Sequence, residues 1–81
     1  MQEIKTDRWG KSYYWNGQLH REDGPAIEYT DGSKFWYLHD QRHREDGPAI
    51  QHFSGLKEWW LQGKQYSEKE YWRVVKLKAL W

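Results

Sequence analysis

Apolar and polar positions in this chain follow a pattern that returns every 23 residues. His20-Arg21-Glu22-Asp23-Gly24-Pro25-Ala26-Ile27 recurs unchanged as His43-Arg44-Glu45-Asp46-Gly47-Pro48-Ala49-Ile50. At the same offset Gln18 meets Gln41, Gly32 meets Gly55, Lys34 meets Lys57, Trp36 meets Trp59 and Leu38 meets Leu61. Backward, Lys34 falls on Lys11 and Tyr37 on Tyr14. Self-similarity at a fixed period marks one supersecondary unit used several times over. The chain divides into an incomplete repeat over 1–19, repeats over 20–42 and 43–66, and a capping segment over 67–81, all within a single domain.

Each unit predicts short antiparallel strands. Ala26 to Tyr29 and Ala49 to His52 begin directly after a proline, where the missing N–H does least harm to a ladder. Thr30-Asp31-Gly32-Ser33 and Phe53-Ser54-Gly55-Leu56 are turn signals, and Lys34 to Leu38 and Lys57 to Leu61 return as aromatic strands. Asn16-Gly17, His39-Asp40 and Gln62-Gly63 then share one two-residue turn position, and Asn-Gly is the strongest short hairpin signal. After the last repeat the period changes. Ser67-Glu68-Lys69-Glu70 is a capping box. Behind it Tyr71, Trp72, Val75 and Ala79 fall on one helical face, with Val74, Leu77 and Trp81 on another, predicting a helix over 68–80. The fold class is mainly β: an antiparallel meander of 23-residue hairpin repeats, capped by one C-terminal α-helix as terminal repeats require.

Composition explains how so polar a chain can hold a core. The hydrophobic fraction is 37%, but seven Trp, six Tyr and two Phe stand among the 81 residues. Each such ring can bury about 150–250 Å². There is no cysteine, which excludes disulfides and thiolate metal sites and fits a reducing compartment. Thirteen basic against twelve acidic residues give a net charge of +1, well short of the basic excess of many nucleic-acid-binding domains. No apolar run approaches the roughly 20 residues needed to span a bilayer, and no signal-peptide apolar segment stands at the start. The expectation is a cytoplasmic protein with no membrane association.

The doubled octapeptide sets His, Arg, Glu and Asp side by side, and two readings compete for it. His20, Glu22, Asp23, His43, Glu45 and Asp46 offer nitrogen and oxygen ligands, and His with Asp offers general acid–base chemistry. The other reading is a structural corner made by His20, Arg21, Asp23, Gly24, Pro25, His43, Arg44, Asp46, Gly47 and Pro48. In it Asp bonds nearby backbone N–H groups, Gly supplies a positive φ, Pro fixes the exit, Arg pairs with a carboxylate, and His donates to a carbonyl between layers. Every unit needs the same corner, whereas an active site rarely needs two equivalent copies. The corner is preferred: no catalytic residue, no metal and no cofactor is assigned.

The aromatic strands carry two rows. Tyr13, Trp36 and Trp59 share a column, with Trp15, Leu38 and Leu61 two positions on and so on the same face, the expected core. Tyr14, Tyr37 and Trp60 point to the other side, where a half-covered sheet would be polar. Either the C-terminal helix covers part of this second row, or the row is an aromatic surface for docking protein or stacking bases. Tyr14, Phe35, Tyr37, Trp60 and Trp81 are the candidate interface residues. Arg8, Lys11, Lys34, Lys57 and Lys64 could meet phosphates, but Glu3, Asp7, Glu28, Asp31 and Glu58 offset them, so charge favours a protein partner. The apolar surplus of the helix suggests a partner interface or a homodimer through that helix.

Tyr14–Gly17–His20 and Tyr37–Asp40–His43 show the spacing Tyr-x-x-Gly/Asp-x-x-His, which resembles MORN-type β-hairpin repeats. Where those repeats continue His-Gly-x-Gly, this chain has Arg-Glu-Asp-Gly-Pro-Ala. The longer form ending in His-Arg-Glu-Asp-Gly-Pro-Ala-Ile is similar to a repeat of small bacteriophage proteins and some large-virus proteins, over roughly residues 11–66. That resemblance implies a non-enzymatic interaction module that binds and inhibits a host protein, including components of defence systems such as CRISPR effectors. A single-stranded nucleic-acid or nucleotide binder is the alternative.

Overall fold

Two kinds of turn set the course of the chain. Asn16-Gly17, His39-Asp40 and Gln62-Gly63 all take positive φ at both positions, between 49° and 82°, the geometry whose twist suits a two-residue hairpin. Gly32 and Gly55, at φ 98° and 96°, close the wider turns in the other half of each unit. A computed structural model describes residues 1–78 of the chain. Between the turns run β1 (Gln2–Asp7), β2 (Gly10–Trp15), β3 (Gln18–Leu19), β4 (Ile27–Tyr29), β5 (Lys34–Phe35), β6 (Tyr37–Leu38), β7 (Gln41–Arg42), β8 (Ile50–Gln51), β9 (Lys57–Leu61), β10 (Lys64–Tyr66) and α1 (Glu68–Lys78).

The fold is the expected antiparallel meander with one C-terminal helix. β1, β2, β4, β5, β8, β9 and β10 are neighbours in that order, β3 pairs with β2 beside this path, and β6 with β7 makes a separate two-stranded ribbon. One expected strand, Lys34 to Leu38, is broken at Trp36. Its first half pairs with β4 and β8, its second half with β7, and Trp36 N–H donates to Ala49 O at the bend. Lys57 to Leu61 runs unbroken as expected.

Successive units are stitched by bonds that themselves repeat. Arg21 N–H donates to Tyr37 O and Arg44 N–H to Trp60 O, each at 3.2 Å, and Tyr13 N–H meets Ala26 O as Trp36 N–H meets Ala49 O. On the wide-turn side Ser33, the buried polar residue, accepts the Phe53 N–H at 3.0 Å and donates its own N–H to Asp31 Oδ1. That backbone N–H holds the Asp31 carboxyl below its ordinary range. At the equivalent place one unit later stands exposed Leu56.

The molecule is a plate of 39 × 32 × 17 Å, and its core is correspondingly thin. Tyr13, Ala26, Ala49, Ile50, Leu61 and Tyr71 are buried. Tyr13 and Leu61 belong to the expected core column, in which Trp36, Leu38 and Trp59 are half-buried. Trp15 of the same column, in the incomplete first repeat, is exposed. The two alanines reach zero exposure, and their carbonyls accept the N–H groups of Tyr13 and Trp36 in the preceding aromatic segments.

The capping box forms as expected: Glu70 N–H donates to Ser67 Oγ at 3.2 Å. Glu68 and Glu70 in the first turn and Lys76 and Lys78 in the last suit the helix dipole. Counted in repeat offsets, Ser67 falls where Arg21 and Arg44 stand, and Tyr71 where Pro25 and Pro48 stand. The helix thus takes the place of a third octapeptide. Tyr71, at zero exposure, accepts the Gly47 N–H at 3.2 Å and donates to Arg44 O. Burial pushes its hydroxyl pKa up. Ala79, Leu80 and Trp81 of the expected helix lie outside the described residues.

Candidate functional site

The octapeptides become legible atom by atom. Arg21 Nε donates to Asp23 Oδ1 at 3.1 Å and Nη1 to Pro25 O at 3.2 Å; Arg44 does the same to Asp46 and Pro48, both at 2.9 Å. Each guanidinium lies over an aromatic ring of the core column, its Cζ 3.9 Å from the ring centroid of Tyr13 and 3.8 Å from that of Trp36, a cation–π contact. Arg21 also takes Glu28 Oε1 at 2.8 Å. Burial works against its charge, and the bonds to Glu28 and Asp23 outweigh that, so its pKa is raised.

Three details of the expected corner are corrected. Asp23 and Asp46 accept from the arginine of their own octapeptide. Gly24 and Gly47 have no positive φ. They are glycines for want of room: a Cβ would lie 3.2 Å from Arg21 Cζ and 2.9 Å from Arg44 Cζ. The histidines accept rather than donate between layers. His39 N–H donates to His20 Nδ1 at 3.0 Å and Gln62 N–H to His43 Nδ1 at 2.9 Å.

Those two amides open the left-handed turns, so each imidazole pins a strained residue 19 positions downstream. The bond fixes the tautomer with hydrogen on Nε2, which faces Glu22 Oε1 at 3.5 Å from His20 and Glu45 Oε1 at 3.8 Å from His43. Protonation would put a second N–H against the turn amide. Desolvation by burial holds His43 below its ordinary 6.5, Lys78 adding to the effect and Glu45 opposing it. A lowered folded pKa means the unfolded chain binds the proton first, so the His43 contribution is full above about pH 6.5 and is lost as pH falls toward the folded value. Melting temperatures from pH 7 to 5 should therefore fall more steeply for the natural chain than for His43→Gln, which keeps an acceptor but cannot titrate. Parallel slopes would refute the assignment.

The two octapeptides border a common open cleft of about 630 Å³, lined by Glu22, Asp23, His43, Glu45 and Asp46 among others. Among the described residues no three His, Asp or Glu side chains come close enough to share a metal ion. His20 and His43 accept turn amides, and Arg21 and Arg44 join Asp23 and Asp46 to prolyl carbonyls and aromatic rings, so the two octapeptides repeat one set of contacts.

The candidate interface residues are half-buried and partly covered, though by cations from neighbouring strands. Lys5 Nζ lies 4.7 Å from the Tyr14 ring, Arg42 lies 4.8 Å from that of Trp60, and Arg42 Nε donates to Tyr37 Oη at 3.2 Å. Trp60 Nε1 donates to Glu58 at 2.9 Å. The helix packs against β9 and β10, and its buried ring goes to the octapeptide side. Phe35 packs edge-on against Tyr29, with centroids 5.5 Å apart. Trp81 lies outside the described residues.

Among the exposed apolar side chains are Trp15 on β2 and Trp72 on α1, and a further group lies at the wide turns. Trp9 is 62% exposed, Tyr29 41%, Phe53 64% and Leu56 57%. They cluster at the wide turns, which run side by side along one edge: Thr30 N–H donates to Trp9 O at 2.9 Å, and Phe53 N–H to Ser33 Oγ. Arg8 caps Trp9 at 4.7 Å and His52 lies against Phe53. For Trp9, Phe53 and Leu56, bulky apolar side chains in otherwise polar turns were the available signal, and strand patterning passes over them. Comparison of the chain with protein-family models, with curated proteins and with solved structures gives no match.

Proposed function

We propose that this chain is a non-enzymatic protein-interaction module that binds and inhibits a host protein during infection, as the likeness to phage repeat proteins implies. The observation that carries the reading is the apolar rim of Trp9, Tyr29, Phe53 and Leu56, set on turns that hydrogen bonds hold in fixed register. Aromatic anchors on a rigid edge are the groups that dominate protein interfaces, and such a rim costs a monomer solubility unless something covers it. The charged groups near it, Arg8, Lys11 and Lys34 with Asp7, Glu28 and Asp31, are of both signs.

The test is capture from a bacterial lysate by the natural chain and by the triple variant Trp9→Ala, Phe53→Ala, Leu56→Ala. These side chains are exposed, so each change should alter stability by only about 0.5 kcal/mol. The variant should melt cooperatively yet retain at most about a tenth of the captured partner. Equal capture by both proteins would refute the rim as the docking surface.

One observation favours a second reading. Lys11, Glu28, Lys34, Gln51 and Lys57 form a single row across the sheet, which brings one lysine per unit to a line that could follow a phosphate backbone. Glu28 interrupts it, and the rim has no such row of its own. Titration of Trp fluorescence with a single-stranded oligonucleotide at two salt concentrations separates the readings, since phosphate contacts weaken steeply with salt.

A further inference from the structure

β1 closes the sheet on one side, and all six of its residues are exposed. Its pairing with β2 fixes which way its backbone points. Asn16 N–H donates to Met1 O, and Glu3, Lys5 and Asp7 lie opposite Tyr14, Ser12 and Gly10. Tyr13, in between, turns its N–H and C=O the other way, to Ala26 and His20. By the alternation of an antiparallel ladder, Met1, Glu3, Lys5 and Asp7 bond inward, while Gln2, Ile4 and Thr6 present their N–H and C=O groups outward. Among the described residues no strand receives them. An open row of this kind is a template for a further strand.

We propose that the strand it receives is β1 of a second copy, giving a two-fold dimer with one sheet continuous through both chains. In an antiparallel pair centred on Ile4, the outward groups of Gln2, Ile4 and Thr6 meet those of Thr6, Ile4 and Gln2, and every outward donor and acceptor on both strands is matched. The same register sets Glu3 opposite Lys5 twice, in the pairs without direct hydrogen bonds, where side chains approach most closely. Ile4, 55% exposed in the single chain, then packs on its own mate across the axis.

Neighbouring registers that keep the hydrogen-bond phase fail on charge. Sliding by two residues one way puts Lys5 on Lys5 and Glu3 on Asp7; sliding the other way puts Glu3 on Glu3. The alternation of sign along Glu3, Lys5 and Asp7 therefore selects one self-complementary register out of three, which is what a two-fold interface demands. This face is separate from the apolar rim, and its test uses the purified protein alone, so either proposal can fail without the other.

Sedimentation equilibrium of the purified chain from micromolar to millimolar concentration should show a monomer–dimer equilibrium. Glu3→Lys leaves only lysines at positions 3 and 5, and Lys5→Glu only glutamates, so each variant alone should dimerise about tenfold or more weakly. Mixing the two in equal amounts should restore association, because the paired lysines of one chain then face the paired glutamates of the other. A natural chain that stays monomeric throughout the range would overturn the proposal. So would variants that associate as well as the natural chain, which would place the contact on another surface such as α1.

Discussion

Tyr71→Ala is expected to lower the melting temperature by about 15 °C or more and to release α1 from the sheet. The ring is wholly buried, and its hydroxyl satisfies two backbone groups of the second octapeptide, Gly47 N–H and Arg44 O. Removing a buried aromatic ring costs about 3–5 kcal/mol. The total stability of a chain this long is about 4–12 kcal/mol, so the loss is a large share of it. Tyr71→Phe separates the two parts of the effect: the ring stays, and only the hydrogen bonds go, for about 1–3 kcal/mol. Circular dichroism and Trp fluorescence during thermal unfolding would read both. A Tyr71→Ala protein that melts within a few degrees of the natural chain, with its helical signal intact, would show that the helix does not close the array.

The second large effect is expected at Arg44. Its guanidinium is 18% exposed and serves three neighbours together: Asp46, the carbonyl of Pro48 and the face of Trp36. Arg44→Ala should cost about 2–5 kcal/mol, from a charge-assisted hydrogen bond of about 1.5–3 kcal/mol and a cation–π contact of about 0.5–2 kcal/mol. Arg44→Lys should recover less than half of that. An ammonium keeps the charge but has no planar fork to reach Asp46 and Pro48 while lying over a ring. Urea midpoints of the three proteins would decide, and a lysine variant as stable as the natural chain would mean that charge alone holds the corner.

Much of the architecture was legible because the repeat carries its own punctuation. Asn16-Gly17 identifies a hairpin turn outright, and the 23-residue offset carries that reading to His39-Asp40, where no glycine announces it. The capping box likewise places the start of α1. What escaped was decided by contact rather than by residue type. Trp36 breaks its strand, while Trp59 at the equivalent position does not, although the two residues are identical. Gly24 and Gly47 carry the same letter as a turn glycine, yet they are shaped by a guanidinium overhead. The acceptor role of His20 and His43 depends on which amide lies 19 residues on, a fact of layer stacking that linear spacing leaves open. At the candidate surface, period-two reasoning found Tyr14, Tyr37 and Trp60 but could not show that Lys5 and Arg42 fold over them. Trp9 and Phe53 sit in turns, outside the strand pattern, while Tyr29 ends β4.

Among the described residues no hydrogen bond joins positions more than 27 apart, so each layer knows only the one before and the one after. Length in such a chain is quantised. Duplicating or excising one whole period leaves every remaining stitch with an identical partner, whereas losing two or three residues inside a period misaligns all those that follow. Lineages of proteins built this way would be expected to differ by entire units, with their variety concentrated at the two ends, where a layer has a neighbour on one side only.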